Sequence, residues 1–570
     1  MKRRKFIQSA TTAGAFLPMI GSVTFLYKSS NEEELISLFL AENDKRVRNI
    51  LDLQQKDKAH PFYGGFPDKY EIYHPSRPAA YAQSLISAFV SEASEFYRSR
   101  EIKDCLKVGM EFLVERQHED GTIDLLTTNF HSPPDTAFAV EPLSLALLIL
   151  KKYSPEYLQD FQQIAKSFLL EAGKAMSVGG IHTPNHRWVV CRALARIHSL
   201  FPNQEYLDRI EAWLAEGIDI DPDGQYTEKS SVVYSPLTNN CFISLARILK
   251  KTELYEVVRK NLQMSQYMMH ANGEVVTEAS TRQDKFTVAH MGRYYYAYRY
   301  MALKDQDASF SAMAHSIEET VGFKSLSGNL PYFLEDEELE KPMPKTATLD
   351  LSYEKSFPHS HMVRIRRGKM DATILGRNSS FFTFFHGSAA LQAIRFATAF
   401  FGKGQFSSPE LSKEGESYML SQELWGPYYQ PHEKENIAAD GDWHKMPRSK
   451  RKQSEVQYLK SVVRISEQEG KCKLHFSIQG TEHIPLAIEL AFRAGGKLKG
   501  VEAVAEVEHA FFLKDGYGSF QSGEESIRFG PAMHKHKWTQ LRGAKAKLNG
   551  DSVYLTAYTP LEFELEIEGS

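Results

Sequence analysis

Leu561-Glu562-Phe563-Glu564-Leu565-Glu566-Ile567-Glu568 sets an apolar side chain at every second position and a carboxylate at each position between. Successive side chains of a strand point to opposite faces, so this stretch reads as a strand with one face packed and one wet. Leu474, Phe476 and Ile478 alternate in the same way with Lys473, His475, Ser477 and Gln479. A period of two predicts antiparallel sheets stacked through their apolar faces, a β-sandwich over residues 351–570. Residues 403–455 break the alternation with a long polar excursion carrying Trp425, Tyr428, Tyr429 and Trp443. It reads either as a substrate lid with exposed rings or as a packed surface excursion.

Toward the N-terminus the period changes. Tyr81, Leu85, Ala88, Phe89, Ala93 and Phe96 recur at helical spacing, as do Leu106, Met110 and Leu113. Such segments follow one another through short loops, among them Glu119-Asp120-Gly121 and Asp221-Pro222-Asp223-Gly224, without a strict repeat. The reading is an α+β multidomain chain: an N-terminal (α/α) toroid of helical hairpins over residues 31–320, then the antiparallel β-sandwich. An irregular helical array is the alternative for the first half. Residues 321–350, rich in Gly and Pro, read as a linker.

At 570 residues the chain exceeds one compact core. A net charge of −4 offers no broad basic field, so no nucleic-acid partner is expected. Arg3-Arg4 before Phe6-Ile7 and a mildly apolar run give residues 1–30 the look of a twin-arginine export signal, hence a periplasmic or secreted protein. A Sec signal or an uncleaved anchor are the other readings. No later segment is read as approaching the ~20 apolar residues that span a bilayer. Cys105, Cys191, Cys241 and Cys472 show no metal-ligand spacing; the first three sit in apolar helical patterns and read as buried thiols, with a disulfide as the alternative. No metal or cofactor is expected, and no metalloprotease, nucleotide-binding or serine-hydrolase motif is present. Oligomeric state is not legible.

Two segments carry chemistry: Thr183-Pro184-Asn185-His186-Arg187-Trp188 and the run from Asp223 to Tyr234, each where a loop feeds a helix. Removing the C5 proton of a uronic acid is hard because the adjoining carboxylate is already charged. Donors on that carboxylate let charge spread into it as the enolate forms. Asn185 and His186 offer such donors and Arg187 a fixed charge; capping a helix is their other use. Tyr234 is the candidate proton carrier, a phenol that needs cationic neighbours to ionise near neutral pH. In a glucuronate linked through O4, H5 and the leaving oxygen share a ring face, so one Tyr can take the proton and pass it on. Tyr226 is its rival, and either ring can instead be core.

Asn129-Phe130-His131-Ser132-Pro133-Pro134-Asp135-Thr136 reads as a cavity-mouth loop or as a helix-capping turn. In the first reading His131 contacts substrate or shares the base role, and Asp135 orients it. Arg282 is either a bidentate carboxylate clamp or a solvated charge. His359, His361 and His386 are candidates to reach the cleft from the second domain. The expected catalytic set is Tyr234, His186, Asn185 and His131. The expected binding set is Arg187, Asn129, Asp135, Tyr226, Glu228, Arg282 and His386.

Together these features resemble the polysaccharide lyases that join an α/α toroid to an antiparallel β-sandwich, such as heparinase II/III-like enzymes and certain alginate lyases. Asn185-His186 looks like that group's carboxylate neutraliser. Asp223-Gly224 with Glu228, Ser230 and Tyr234 looks like its Asp-Gly, Glu-x-Ser, Tyr segment, whose Tyr is base and acid. The Tyr-His closing that segment is Tyr234-Ser235 here, and the Tyr lies one position later. Gly121-Thr122-Ile123-Asp124 through Glu141, Gly179-Gly180-Ile181-His182 and residues 480–496 look similar to the bacterial L-rhamnose-α-1,4-D-glucuronate lyases, which remove rhamnose caps from arabinogalactan-type glycans such as gum arabic. The resemblance implies a uronic-acid-containing polysaccharide or oligosaccharide as partner and β-elimination at O4. A glycoside hydrolase using carboxylates such as Asp124, Asp135, Asp223 or Glu228, and a non-catalytic glycan-binding protein, are the competing readings.

Overall fold

The computed structural model describes residues 32–570; the expected export signal at residues 1–30 lies outside them. Eleven longer helices come first: α1 (Glu32–Leu53), α2 (Arg77–Val90), α3 (Arg100–Val114), α4 (Pro133–Tyr153), α5 (Gln159–Val178), α6 (Pro184–Leu200), α7 (Gln204–Ala215), α8 (Tyr234–Leu249), α9 (Leu254–Ser265), α10 (Tyr295–Asp305) and α11 (Ala308–Val321). From α2 to α10 the even helices pack on one another in succession, each flanked by its odd neighbours. α4, α6 and α8 are buried on nearly every side, whereas α3, α7 and α9 bury one face, as an inner and an outer ring require. The hairpin alternation points all inner helices the same way, so their N-termini gather at one end.

α4 is 21 residues long and apolar enough to cross a membrane, against the expectation that no such segment follows the N-terminus. Its length is that of an inner-ring helix, and most of it is buried in the helical domain. Residues 321–350 are not a plain linker either. α12 (Phe323–Leu326) and α13 (Leu330–Glu335) pack into the helical core through Leu326, Leu330 and Phe333. α13 brings Glu335 to Arg196 at 2.6 Å and to Arg247 at 3.1 Å, while Arg192 meets Glu141 at 2.5 Å. These paired charges lie two to three turns along α6 from Asn185, deep among the inner helices.

A turn geometry recurs before three inner helices. His118, Asp221 and His270 each donate a backbone N–H to the carbonyl four residues on and accept from the glycine three residues on. Gly121 (φ +82°) and Gly224 (φ +99°) sit so close to the next outer helix that a Cβ would lie 2.3 Å from Glu171 O and 2.4 Å from Lys260 O. Only glycine meets both demands. The segments that follow these turns hold Asn129, His131, Asp135, Tyr226, Glu228, Tyr234 and Arg282.

The second half is a two-sheet sandwich. One sheet opens with Ser352–Phe357, Met362–Arg367, Met370–Leu375, Phe382–His386 and Ala389–Thr398 in sequential antiparallel order, then Pro485–Phe492 and Asp551–Tyr558. The other centres on Ser417–Tyr429, Gln453–Gln468, Lys471–Gly480 and Leu561–Gly569. Leu474, Phe476, Ile478, Leu565 and Ile567 fill the space between the sheets, with the intervening charges outside. Residues 403–455 are more ordered than their composition predicts, because Ser417–Tyr429 pairs along Gln453–Gln468 with Trp425 opposite Tyr458. The connection between these strands, residues 430–452, is the longest part of the excursion without strand structure.

The domains meet through Met264, Met268, Val276, Phe357, Met362 and Leu375. Beside this apolar contact, Ser360 donates its backbone N–H to Asp223 and its hydroxyl to Asp221, both at 2.8 Å, and accepts from Lys229 at 3.0 Å. The sandwich therefore grips the loop that leads to Glu228 and Tyr234.

Candidate active site

Asn185 lies in the first turn of α6, just after Pro184. Its amide caps no helix. Nδ2 donates to Glu228 Oε2 at 2.6 Å and to Thr183 Oγ1 at 3.0 Å, and the side chain is buried. Asn185 Oδ1 is buried without a hydrogen-bond donor, whereas Glu228 Oε1 has the Arg282 ion pair. Unpaired buried acceptors cost about 1–3 kcal/mol each, and such orphans are a mark of a site awaiting a ligand. Burial pushes the Glu228 carboxyl above its usual range, against the opposing pull of Asn185 and Arg282.

Arg282 Nε stands 3.3 Å from Glu228 Oε1, and its guanidinium carbon lies 5.3 Å from the centre of the Tyr234 ring. Tyr234 is the first residue of α8, half-buried, and its hydroxyl accepts from Gln283 Nε2 at 2.9 Å. Its backbone N–H is held by Ser230 Oγ at 3.1 Å; Ser230 in turn donates to Asp284 at 2.8 Å. Asn185, Glu228, Arg282, Tyr234 and Gln283 thus form one continuous cluster where α6 and α8 begin. The positive ends of the helix dipoles converge there and favour an anion.

His186 is half-buried beside this cluster. Burial lowers its pKa below the usual histidine range, Asp135 opposes that, and His182 and Arg282 add to it. Asp135 accepts from Ser132 Oγ at 2.6 Å and Asn129 Nδ2 at 2.8 Å, while Ser132 is the residue that caps α4. His131 is exposed at φ +48°, with its ring stacked on His118 at 3.8 Å and Nδ1 2.8 Å from Asp120. Burial raises the Asp120 carboxyl, but the Thr122 amide and hydroxyl and His131 together hold it down to about 2.

Three expected binding residues are placed elsewhere. Arg187 is buried against Asp219 at 3.0 Å and Glu216 at 3.2 Å, where Asp219 also takes the Trp188 N–H. It braces the α6–α7 hairpin because its neighbour Asn185, two positions back, occupies the inward face. Tyr226 is a core residue: its hydroxyl donates to Asn239 at 2.9 Å, and burial drives its pKa well up. His386 ends a strand whose odd positions face the helical domain, Thr383 meeting Glu278 and Phe385 stacking on His270. The alternation turns His386 the other way, toward Gly569. His361 does reach the domain junction, near Lys229 and Asp223. Gln283 was missed as a site residue; a neutral side chain in a charged loop gives no sequence signal.

The four cysteines are buried and unpaired, and burial pushes the Cys105 thiol up to about 12. Among the described residues no group of His, Cys, Asp and Glu forms a metal site.

In fold the chain is similar to solved polysaccharide lyases. It matches the chondroitin AC lyase of Streptomyces coelicolor A3 over 93% of this chain and 79% of that one, with a TM-score of 0.54 and 12% identity. A heparinase III matches over 98% of this chain and 87% of that one (TM-score 0.52, 11% identity), and a Paenibacillus xanthan lyase over 96% and 58% (TM-score 0.53, 9% identity). No protein-family model and no curated protein matches the sequence. The architecture is that of the α/α-toroid lyases.

Proposed function

We propose that the protein is a polysaccharide lyase that cleaves the bond at O4 of a glucuronic acid by β-elimination. The observation that carries this reading is the single cluster of Asn185, Glu228, Arg282 and Tyr234 at the inner-helix N-termini. In it Arg282 meets Glu228 through Nε, and its planar fork suits a carboxylate. Asn185 and neutral His186 complete the carboxylate pocket, so charge that develops at C5 is stabilised as the proton leaves. Glu228 sets Asn185 and Arg282 in place. Tyr234, acting as the phenolate, takes the C5 proton while the Gln283 amide N–H steadies its oxygen; the C4–O4 bond breaks as the C4=C5 double bond forms, and the phenol returns the proton to the leaving oxygen.

The finer reading, also proposed, is release of terminal L-rhamnose from rhamnosyl-glucuronate, by an exported enzyme. It rests on the sequence resemblance and on the likeness of residues 1–30 to a twin-arginine export signal. Incubation with gum arabic, followed for free rhamnose, tests the substrate; no rhamnose alongside turnover of another uronate glycan rejects it. Cell fractionation tests the export, which a purely cytoplasmic protein rejects.

A further inference from the structure

His270, Glu278, Asp371 and Arg364 form a charge cluster buried between the two domains and separate from the cluster described above. His270 Nδ1 is 2.7 Å from Asp371 Oδ1 and Nε2 is 3.5 Å from Glu278 Oε2, with the ring stacked on Phe385 at 3.8 Å. Arg364 Nη1 reaches Asp371 Oδ1 at 3.0 Å and donates to Thr373 at 2.7 Å; its other nitrogens donate to the carbonyls of Tyr267 and Met269. Glu278 Oε1 accepts from Thr373 and Thr383 at 2.7 and 3.0 Å. The backbone N–H of Ala271 donates to Asp371 Oδ2 at 2.8 Å. All four charged residues are at most 3% exposed. Two carboxylates face one permanent cation, so the cluster is neutral only when His270 carries both protons. A net buried charge is strongly unfavourable.

The same loop continues into the candidate site. Asn378 of the sandwich donates to Glu278 O at 3.0 Å and accepts from Lys285 at 3.1 Å, which pins both ends of residues 278–285. Between those pins, Thr281 donates to Glu228 O at 2.8 Å, Asp284 receives Ser230, and Arg282 and Gln283 reach Glu228 and Tyr234. We propose that His270 is a positioning residue, whose clamp between Glu278 of its own loop and Asp371 of the sandwich holds residues 278–285 as a strap that presents Arg282 and Gln283 to the site. Its link to turnover rests on the lyase reading; the clamp itself does not.

The clamp has a pH signature. Burial lowers the His270 pKa, but Asp371 and Glu278 outweigh it and bring the value to about 9. Tyr353 stands near Arg364 and Asp371, and the Arg493–Glu274 pair covers the outer side of Phe385. Because the folded value lies above that of a free histidine, the stabilisation is complete below ~6.5 and fades as pH rises through about 9.

Hydrogen exchange read by mass spectrometry on the full chain tests this. At pH ~7, His270→Gln is expected to lose on the order of tenfold of the protection of residues 278–285, with residues 184–200 of α6 unchanged. Lys285 also faces Glu278 and is lowered by burial to about 8, so Lys285→Gln, with His270 intact, is expected to show the same local loss between pH ~7 and ~10 after correction for intrinsic rates, and the test stands even where the His270 variant does not fold. Unchanged protection of residues 278–285 in both overturns the clamp. On a uronate glycan that the unaltered protein cleaves, kcat of a folded His270→Gln falls on the order of 100-fold; a normal kcat overturns the positioning role. Local loss of protection in a protein that cleaves no uronate glycan would leave the clamp standing and reject the lyase reading.

Discussion

Tyr234 and Asn185 carry the account at the level of single side chains. Tyr234→Phe keeps the ring beside Arg282 and removes the proton carrier, so kcat is expected to fall ~1000-fold or more with binding largely kept, by steady-state kinetics and calorimetry. Asn185→Ala is expected to lower kcat by ~100-fold. It caps no helix, so the ~1 kcal/mol stability loss of a missing cap is not its signature. His186 adds a pH dependence. Its lowered pKa keeps it neutral at pH ~7, and falling pH charges it and strengthens its hold on the uronate carboxylate, so KM is expected to fall as pH drops below ~6.5, a dependence removed in His186→Asn. Which residues would gather was partly legible: Asn185, Glu228, Tyr234 and Arg282 are polar groups at helix starts or in loops. Which way a side chain faces was not. Arg187 and Tyr226 have the right chemistry, but Asp219 and Asn239, distant in sequence or hidden within a helix, claim them.

At the level of elements, alternation and helical spacing gave the two halves because each rests on one buried face. The short helices of residues 323–340 went unread, since one or two turns show no period and their Gly and Pro mimic a linker. The recurring turn also escaped notice, because what recurs is a glycine and a hydrogen-bond pattern while His118, Asp221 and His270 differ. Its mechanical role is testable. Gly224→Ala forces a Cβ onto Lys260 O at a positive φ and is expected to cost about 1–3 kcal/mol in a denaturant titration. Activity should fall with it, because the loop to Glu228 starts there. Unchanged stability and activity would show that the turn tolerates a side chain and does not set that loop.

For the whole molecule, the sandwich is part of the site's scaffold: Ser360 grips one loop and Asp371, Thr373 and Asn378 the other. That dependence was invisible in a sequence read as two consecutive domains, because no local pattern marks a strand's contacts with a loop a hundred residues away. The central claim is elimination, and it leaves a chemical trace that hydrolysis does not. Glucuronate-containing glycans incubated with the protein should give rising absorbance at ~235 nm from the unsaturated uronate, in step with sugar release and absent in Tyr234→Phe. Sugar released without that absorbance, or binding with no turnover across such glycans, would contradict the account.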